Sequence, residues 1–336
     1  MRKSLRVLAA LTAAVVACHA ATTLADAAEV SIAKQYGDSY LPLMVMEHDH
    51  LIEAQAEKAG LGAVKVNWRS VSGGAAANDA LLSGSIDFVS GGVGPMLKLW
   101  SASHGAVKGV AALNALPLLL NVNRPEVKSI RDLTEHDKIA VPAVGVSMQA
   151  VILRMAAAQA FGEDNFGKLD NLTVTMKQAD AAVALISGKT ELTGHFGNSP
   201  FEFQELEHSN VHTILNSFEV LGGPATFGVI WTTEKFHNAN PKLYGAVLSA
   251  LREAVNIINA NRKTAADLYV KLAHSKLAPD FVEKILTDPK IGYQYNLTPL
   301  NTMKYAAFMH KIGQIKMRPM SWKDYFFPEI YDLPGS

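Results

Sequence analysis

The chain has 336 residues, 49% apolar and 18% charged, with Lys+Arg 31 against Asp+Glu 31. That length suits roughly two domains of about 150 residues. The apolar content excludes a disordered chain, and the charge balance leaves no electrostatic footprint for nucleic acid or an anionic membrane. One cysteine, Cys18, excludes a disulfide scaffold, a cysteine zinc site and a CxxC redox centre.

The first segment reads as an address. Arg2, Lys3 and Arg6 precede an apolar run over 7–17 that is too short for a permanent membrane span. Ala25-Asp26-Ala27 supplies the small–x–small pattern of a signal peptidase site, so 1–27 is expected to be a signal peptide cut after Ala27. Val15-Val16-Ala17-Cys18 loosely fits a lipobox, which makes a lipid anchor at Cys18 the second reading. Both imply export. Without 1–27 the balance is 28 basic to 30 acidic residues.

Strands and helices then alternate. A strand over 30–33 ends at Tyr36-Gly37-Asp38, and Ser39 with Pro42 opens a helix that Gly60 stops. A strand over 64–68 leads through Ser72-Gly73-Gly74 into a helix over 75–83. Strands follow at 87–89, 107–113 and 116–122. Next come a strand at 138–141, a helix capped by Ser147 and stopped by Gly162, and a strand at 172–176. A helix over 181–187, capped by Asp180, ends at Gly188. After 230 the pattern is helical. Asn240-Pro241 opens a long helix with Leu243, Val247, Leu251, Ala254 and Ile258 on one face. A capping box over 264–267 starts the next, Pro279 and Thr298-Pro299 open two more, and Gly313 closes the last. The segment 80–88 (ALLSGSIDF) reappears as 184–192 (ALISGKTEL), and both copies run through glycines to a proline, Pro95 or Pro200. The alternation implies an α/β fold with largely parallel sheets, and the repeat implies two lobes of related topology.

Catalytic motifs are missing. There is no P-loop, no GxSxG, no HExxH, and Gly91-Gly92-Val93-Gly94 is too short for GxGxxG. Glu47-His48-Asp49-His50 resembles a metal cluster, but neighbours on a helix point apart, so it reads as a polar face. The loops carry the better signal. Ser72-Gly73-Gly74 and Ser147 stand at helix starts, where unpaired N–H groups can donate to an anion or a carbonyl oxygen. The run 91–95 allows close backbone approach. Tyr36, His195 and Phe196 add rings at strand ends, where ligands gather in α/β sheets.

Three stretches, 78–88 (NDALLSGSIDF), 129–142 (SIRDLTEHDKIAVP) and 308–313 (FMHKIG), with the tail 321–326 (SWKDYF), resemble periplasmic substrate-binding proteins of ABC importers. The similar group is the nitrate/sulfonate/taurine one with its thiamine-precursor-like relatives. The resemblance implies a type II periplasmic-binding-protein fold, two α/β lobes with a ligand cleft between them. It implies lobe I over 28–117 and 224–336 and lobe II over 118–223, with crossings near 117–122 and 222–230. It implies ligand contacts at Tyr36, Ser72, Gly73, Gly74, Gly92, Val93, Ser147, Met148 and His195, and no cofactor or metal. Glu191 stands where the group often has Asp, and no Arg lies in these loops, which departs from a sulfonate or nitrate clamp. The implied function is capture of a small anion or small polar or aromatic molecule outside the cytoplasmic membrane. The implied partners are an ABC permease and its ATPase, and the implied state is a monomer. The alternatives are a precursor-synthase-like enzyme on the same fold, whose cysteine-rich motif the mature chain lacks, and a ligand sensor for a receptor.

Overall fold

The computed structural model describes residues 28–336, so the expected cleavage site and Cys18 lie outside the described residues. Among the described residues ten strands form two sheets. They are β1 (Ala28–Lys34), β2 (Val64–Ser70), β3 (Phe88–Gly92), β4 (Val107–Ala112), β5 (Leu119–Val122), β6 (Ile139–Val141), β7 (Thr173–Thr175), β8 (Gly194–Phe196), β9 (His212–Asn216) and β10 (Gly228–Thr233). The first sheet has the order β2-β1-β3-β10-β4 and the second β7-β6-β8-β5-β9.

The two orders are the same topology. In each sheet three parallel strands are followed by an antiparallel strand and an edge strand. The repeated segments occupy equivalent places. The helix Gly74–Leu82 leads into β3, and the helix Gln178–Ser187 leads into β8. The acidic residue they share is not equivalent in use. Asp87 accepts the Ser31 N–H (2.8 Å) and hydroxyl (2.7 Å), whereas Glu191 is exposed. Each sheet carries helices on its faces and forms one lobe.

Several sequence expectations shift on contact with the structure. The helix expected from Ser39 to Gly60 is broken. Leu41–His48 and Leu51–Lys58 meet at His50, whose φ of 52° is left-handed and ends the first helix. The second-lobe helix starts at Gln178, three residues before its expected start, with Asp180 inside its first turn rather than at its cap. Asn261 caps Arg262–Leu272 through Thr264 N–H (3.0 Å), so no capping box starts at Thr264. The last long helix begins at Thr302 rather than beside Pro299. The helix Pro241–Ala260 has the expected apolar face buried against the helices Leu41–His48 and Leu51–Lys58.

The chain leaves the first sheet after Ala112, enters the second at Leu119, and returns at Gly228. Where the crossings meet, Ala115 pairs with Thr226 on one side and with Gln294 on the other. The fully buried Asn114 ties them to the cleft. Its Nδ2 donates to the Ser39 carbonyl (2.6 Å) and its Oδ1 accepts the Gly228 N–H (3.0 Å). Gly228 keeps this approach close, because a Cβ there would stand 3.0 Å from the Asn114 amide and push it back. Replacing Asn114 by Ala leaves a buried carbonyl and a buried N–H unpaired, each costing about 1–3 kcal/mol. Asn114→Ala is therefore expected to lose about 2–4 kcal/mol in urea unfolding, well beyond an exposed control such as Asn238→Ala.

Candidate functional site

A cleft of about 640 Å³ lies between the two sheets. From the first lobe it is walled by Gln35, Tyr36 and Tyr40, by the turn 70–74, and by Gly92 and Pro95. From the second come Pro142, Ser147, Met148, Gln149, the turn 176–180, Asn198 and Phe201, with Phe227 from the returning crossing. Of the nine sequence-predicted residues, Tyr36, Ser72, Gly73, Gly74, Gly92, Ser147 and Met148 line this cleft. Val93 and His195 do not. Val93 is fully buried, with its N–H on the Phe227 carbonyl (3.1 Å). His195 is 1% exposed, and its Nδ1 pairs with the Glu205 carboxylate beneath the helix Phe201–Leu206. A strand-end histidine is as well placed to satisfy a buried acid as to face the cleft, and here it does the former.

Three helices bring their N-termini to the cleft. They are Gly74–Leu82, Met148–Phe161 and Gln178–Ser187, each lining it with its first residues. Each first turn has N–H groups without intrahelical acceptors and the positive end of a helix dipole. Ser147 caps the second helix, its Oγ accepting the Ala150 N–H at 3.3 Å. At the third, Asp180 opposes an anion, and Lys177 beside it balances the charge. An anionic group is thus favoured at the Gly73–Gly74 and Ser147–Met148 ends.

The glycines have separate duties. A Cβ on Gly74 would stand 2.4 Å from Pro95 Cγ, so this glycine serves helix packing and not only ligand access. A Cβ on Gly73 meets open space, and the residue lies on the cleft wall. Gly92 and Gly94 let the lobes touch. A Cβ at Gly92 would sit 2.4 Å from Met148 Cγ, and the Gly94 N–H donates to Met148 Sδ at 2.7 Å. Further lobe-to-lobe bonds run from Lys98 Nζ and Gln314 Nε2 to the Gly145 carbonyl (3.4 and 3.0 Å), and Lys311 pairs with Glu163.

Sequence reasoning missed the amide groups of the wall. Gln35 Nε2 donates to the Ser90 carbonyl (2.7 Å) and Gln149 Nε2 to the Gly197 carbonyl (3.3 Å). Gln178 differs, because both atoms of its amide are buried with no hydrogen-bond partner among the described residues. A buried unpaired donor and acceptor together cost a few kcal/mol, and a ligand in the adjoining cleft can satisfy them. Nothing in local sequence marks these residues beyond the helix-start positions of Gln149 and Gln178 and the strand-end position of Gln35.

Beside the cleft, Asp38 is fully buried. It accepts Ser199 Oγ (2.6 Å) from the second lobe and Tyr293 OH (3.1 Å), while its own carbonyl accepts Tyr295 OH (2.8 Å). Burial pushes its carboxyl up to about 6 despite those hydrogen bonds. Glu202, also fully buried, accepts the Leu119 N–H (2.7 Å) and is raised well above the usual carboxylate range by burial, with Glu205 and Asp38 adding repulsion.

Comparison with known proteins places this geometry. Neither a protein-family model nor a curated protein matches the sequence. Solved structures do match. The aliphatic sulphonate-binding protein of Escherichia coli is 17% identical over 91% of this chain and 99% of its own, with a TM-score of 0.67. The chain has the periplasmic-binding-protein fold. The nitrate-binding protein of Synechocystis PCC 6803 shares this fold at 15% identity, TM-score 0.67, over 89% of this chain and 84% of its own. The alkanesulfonate-binding protein of Xanthomonas axonopodis pv. citri, bound to MOPS, shares it at 19% identity and TM-score 0.66, over 87% and 95% of the two chains.

Two expectations follow from the wall and its buried acids. Gln178→Met removes both unpaired atoms, so the free protein should gain about 1 kcal/mol or more in stability while binding to the cleft weakens. Equal loss of stability and binding would mean the amide is already paired in solution. For Asp38, the native carboxyl at about 6 lies above its unfolded value near 4. Between those values the native state holds more protons than the unfolded chain, so this group's stabilisation is full below about pH 4 and is lost as pH rises through about 6. Melting curves from pH 4 to 7 should show that decline, and Asp38→Asn should make it shallower, by up to roughly 3 kcal/mol.

Proposed function

We propose that the protein is an extracytoplasmic solute-binding protein. It captures a small anionic or polar molecule in the cleft and delivers it to an ABC permease and its ATPase. The observation that carries this reading is one cleft, at the junction of two topologically equivalent lobes, onto which three helix N-termini open. Its volume of about 640 Å³ lies in the range of small-molecule sites. The similar solved structures are named as binding proteins for sulphonates and nitrate. Among the described residues the cleft wall holds neither a histidine nor a cysteine, which favours binding over nucleophilic catalysis and over a precursor synthase.

In this reading the lobes are 28–117 with 224–336, and 118–223, and they close on the ligand. The Gly92–Met148 contact and the Ser199–Asp38 bond are the closed-side contacts that opening breaks. The ligand residues are Tyr36, Ser72, Gly73, Gly74, Gly92, Ser147 and Met148, joined by Gln178. The chain is exported as a monomer after cleavage behind Ala27. Among the described residues no helix is long and apolar enough to cross a membrane. The intact mass of the exported protein checks processing, since a lipidated Cys18 would add the mass of its acyl chains.

A thermal-shift panel of nitrate, sulfonates, carboxylates and neutral amides tests the binding. A true ligand at a hundredfold excess over Kd should stabilise the protein by about 2.7 kcal/mol and be recovered unchanged. Gly73→Val puts a branched side chain into the cleft from extended backbone. It should abolish that shift while the free protein melts like wild type. A converted ligand, or full binding by Gly73→Val, overturns the reading.

A further inference from the structure

A second cavity of about 500 Å³ adjoins the cleft. Gln35, Tyr36, Ser70 and Phe201 line both, so the two spaces are separated by one layer of side chains and meet around the Tyr36 ring. That ring is 66% exposed and is stacked on no other ring among the described residues. An exposed tyrosine between two cavities offers a flat surface to whatever passes from one to the other.

The second cavity has a different charge from the first. Lys34, His274 and Lys276 line it, and among the described residues no carboxylate does. Lys34 is paired with Glu47, behind the wall. Burial pulls the Lys34 ammonium below the usual lysine value, a desolvation that a second anion would offset. Lys276 has no carboxylate partner among the described residues. In the main cleft, by contrast, Lys177 and Asp180 cancel. The rest of the second wall is largely apolar, through Met44, Tyr269, Leu272 and Leu277, which suits a carbon spacer rather than a hydrated ion.

We infer that the solute is an elongated acid with two anionic ends. One end sits at the helix N-termini of the main cleft, the spacer lies on Tyr36, and the other end reaches Lys276 in the second cavity. The inference rests on the solute-binding reading above and narrows its ligand class. A nitrate-sized ion would use neither the Tyr36 face nor the second cavity.

The test is titration calorimetry with matched pairs of acids, benzoate with terephthalate and hexanoate with adipate and suberate. At least one diacid should bind about tenfold or more tightly than its monoacid. Lys276→Gln, an exposed position remote from the core, should erase that advantage and leave the monoacid unchanged. Raising the salt should shrink the advantage in wild type. Equal affinities within every pair overturn the inference, as does a Lys276→Gln effect shared by both members of a pair. If none of these acids binds but a neutral amide or a small anion does, the solute-binding reading stands and the two-ended ligand falls. If nothing in either panel binds, both fall.

Discussion

The arrangement depends on a buried amide at the crossing of the two lobes. Asn114 uses both ends of its side chain, one on the Ser39 carbonyl and one on the Gly228 N–H. The first bond holds the turn that follows β1 and carries Tyr36. The second holds the strand that returns from the other lobe. Apolar packing could not make this connection, because it has no preferred direction and would let the turn slide. A hydrogen-bonded pair fixes both angle and distance. The turn beside the cleft and the returning strand are thus held together by two bonds from one residue.

Around that joint the two lobes repeat one solution. In each, a strand feeds a helix whose N-terminus opens toward the other lobe. The cleft acquires partial positive charge from backbone alone, with no arginine. Small residues then allow close approach. At Gly92 the second lobe's Met148 fills the place of a side chain, and at Gly37 a Cβ would meet the Ser199 carbonyl at 2.9 Å. The contact between the lobes is set by such absent side chains as much as by bonds.

Local signals in the sequence carried most of the scaffold. Ser147 and Gly162 bound their helix as expected because capping is decided within a few residues. The glycine run that ends β3 marked close approach, though not which residue approaches, since Met148 comes from the other lobe. The misses are long-range. Asp38 meets Ser199 across 161 positions and Tyr293 across 255, and no window of sequence displays such partners. His195 looked like a ligand contact because its strand end was visible and its acid, Glu205, belongs to a later helix. Gln178 was hidden by an early helix start. Amide side chains carry no charge pattern or periodicity, so their role emerges only with the cleft.

The place of β10 bears on how the chain is assembled. It lies between β3 and β4, antiparallel to both, although more than a hundred residues of the other lobe separate it from β4 in sequence. Until it arrives, the first sheet is two fragments, each with an unpaired edge. The second lobe is one continuous stretch and has all five of its strands by Asn216. Emerging from a ribosome or a translocon, the second lobe can complete itself while the first waits for the strand that joins its halves. The waiting edges of β3 and β4 are the surfaces on which a nascent chain would aggregate, and the ones a chaperone would cover.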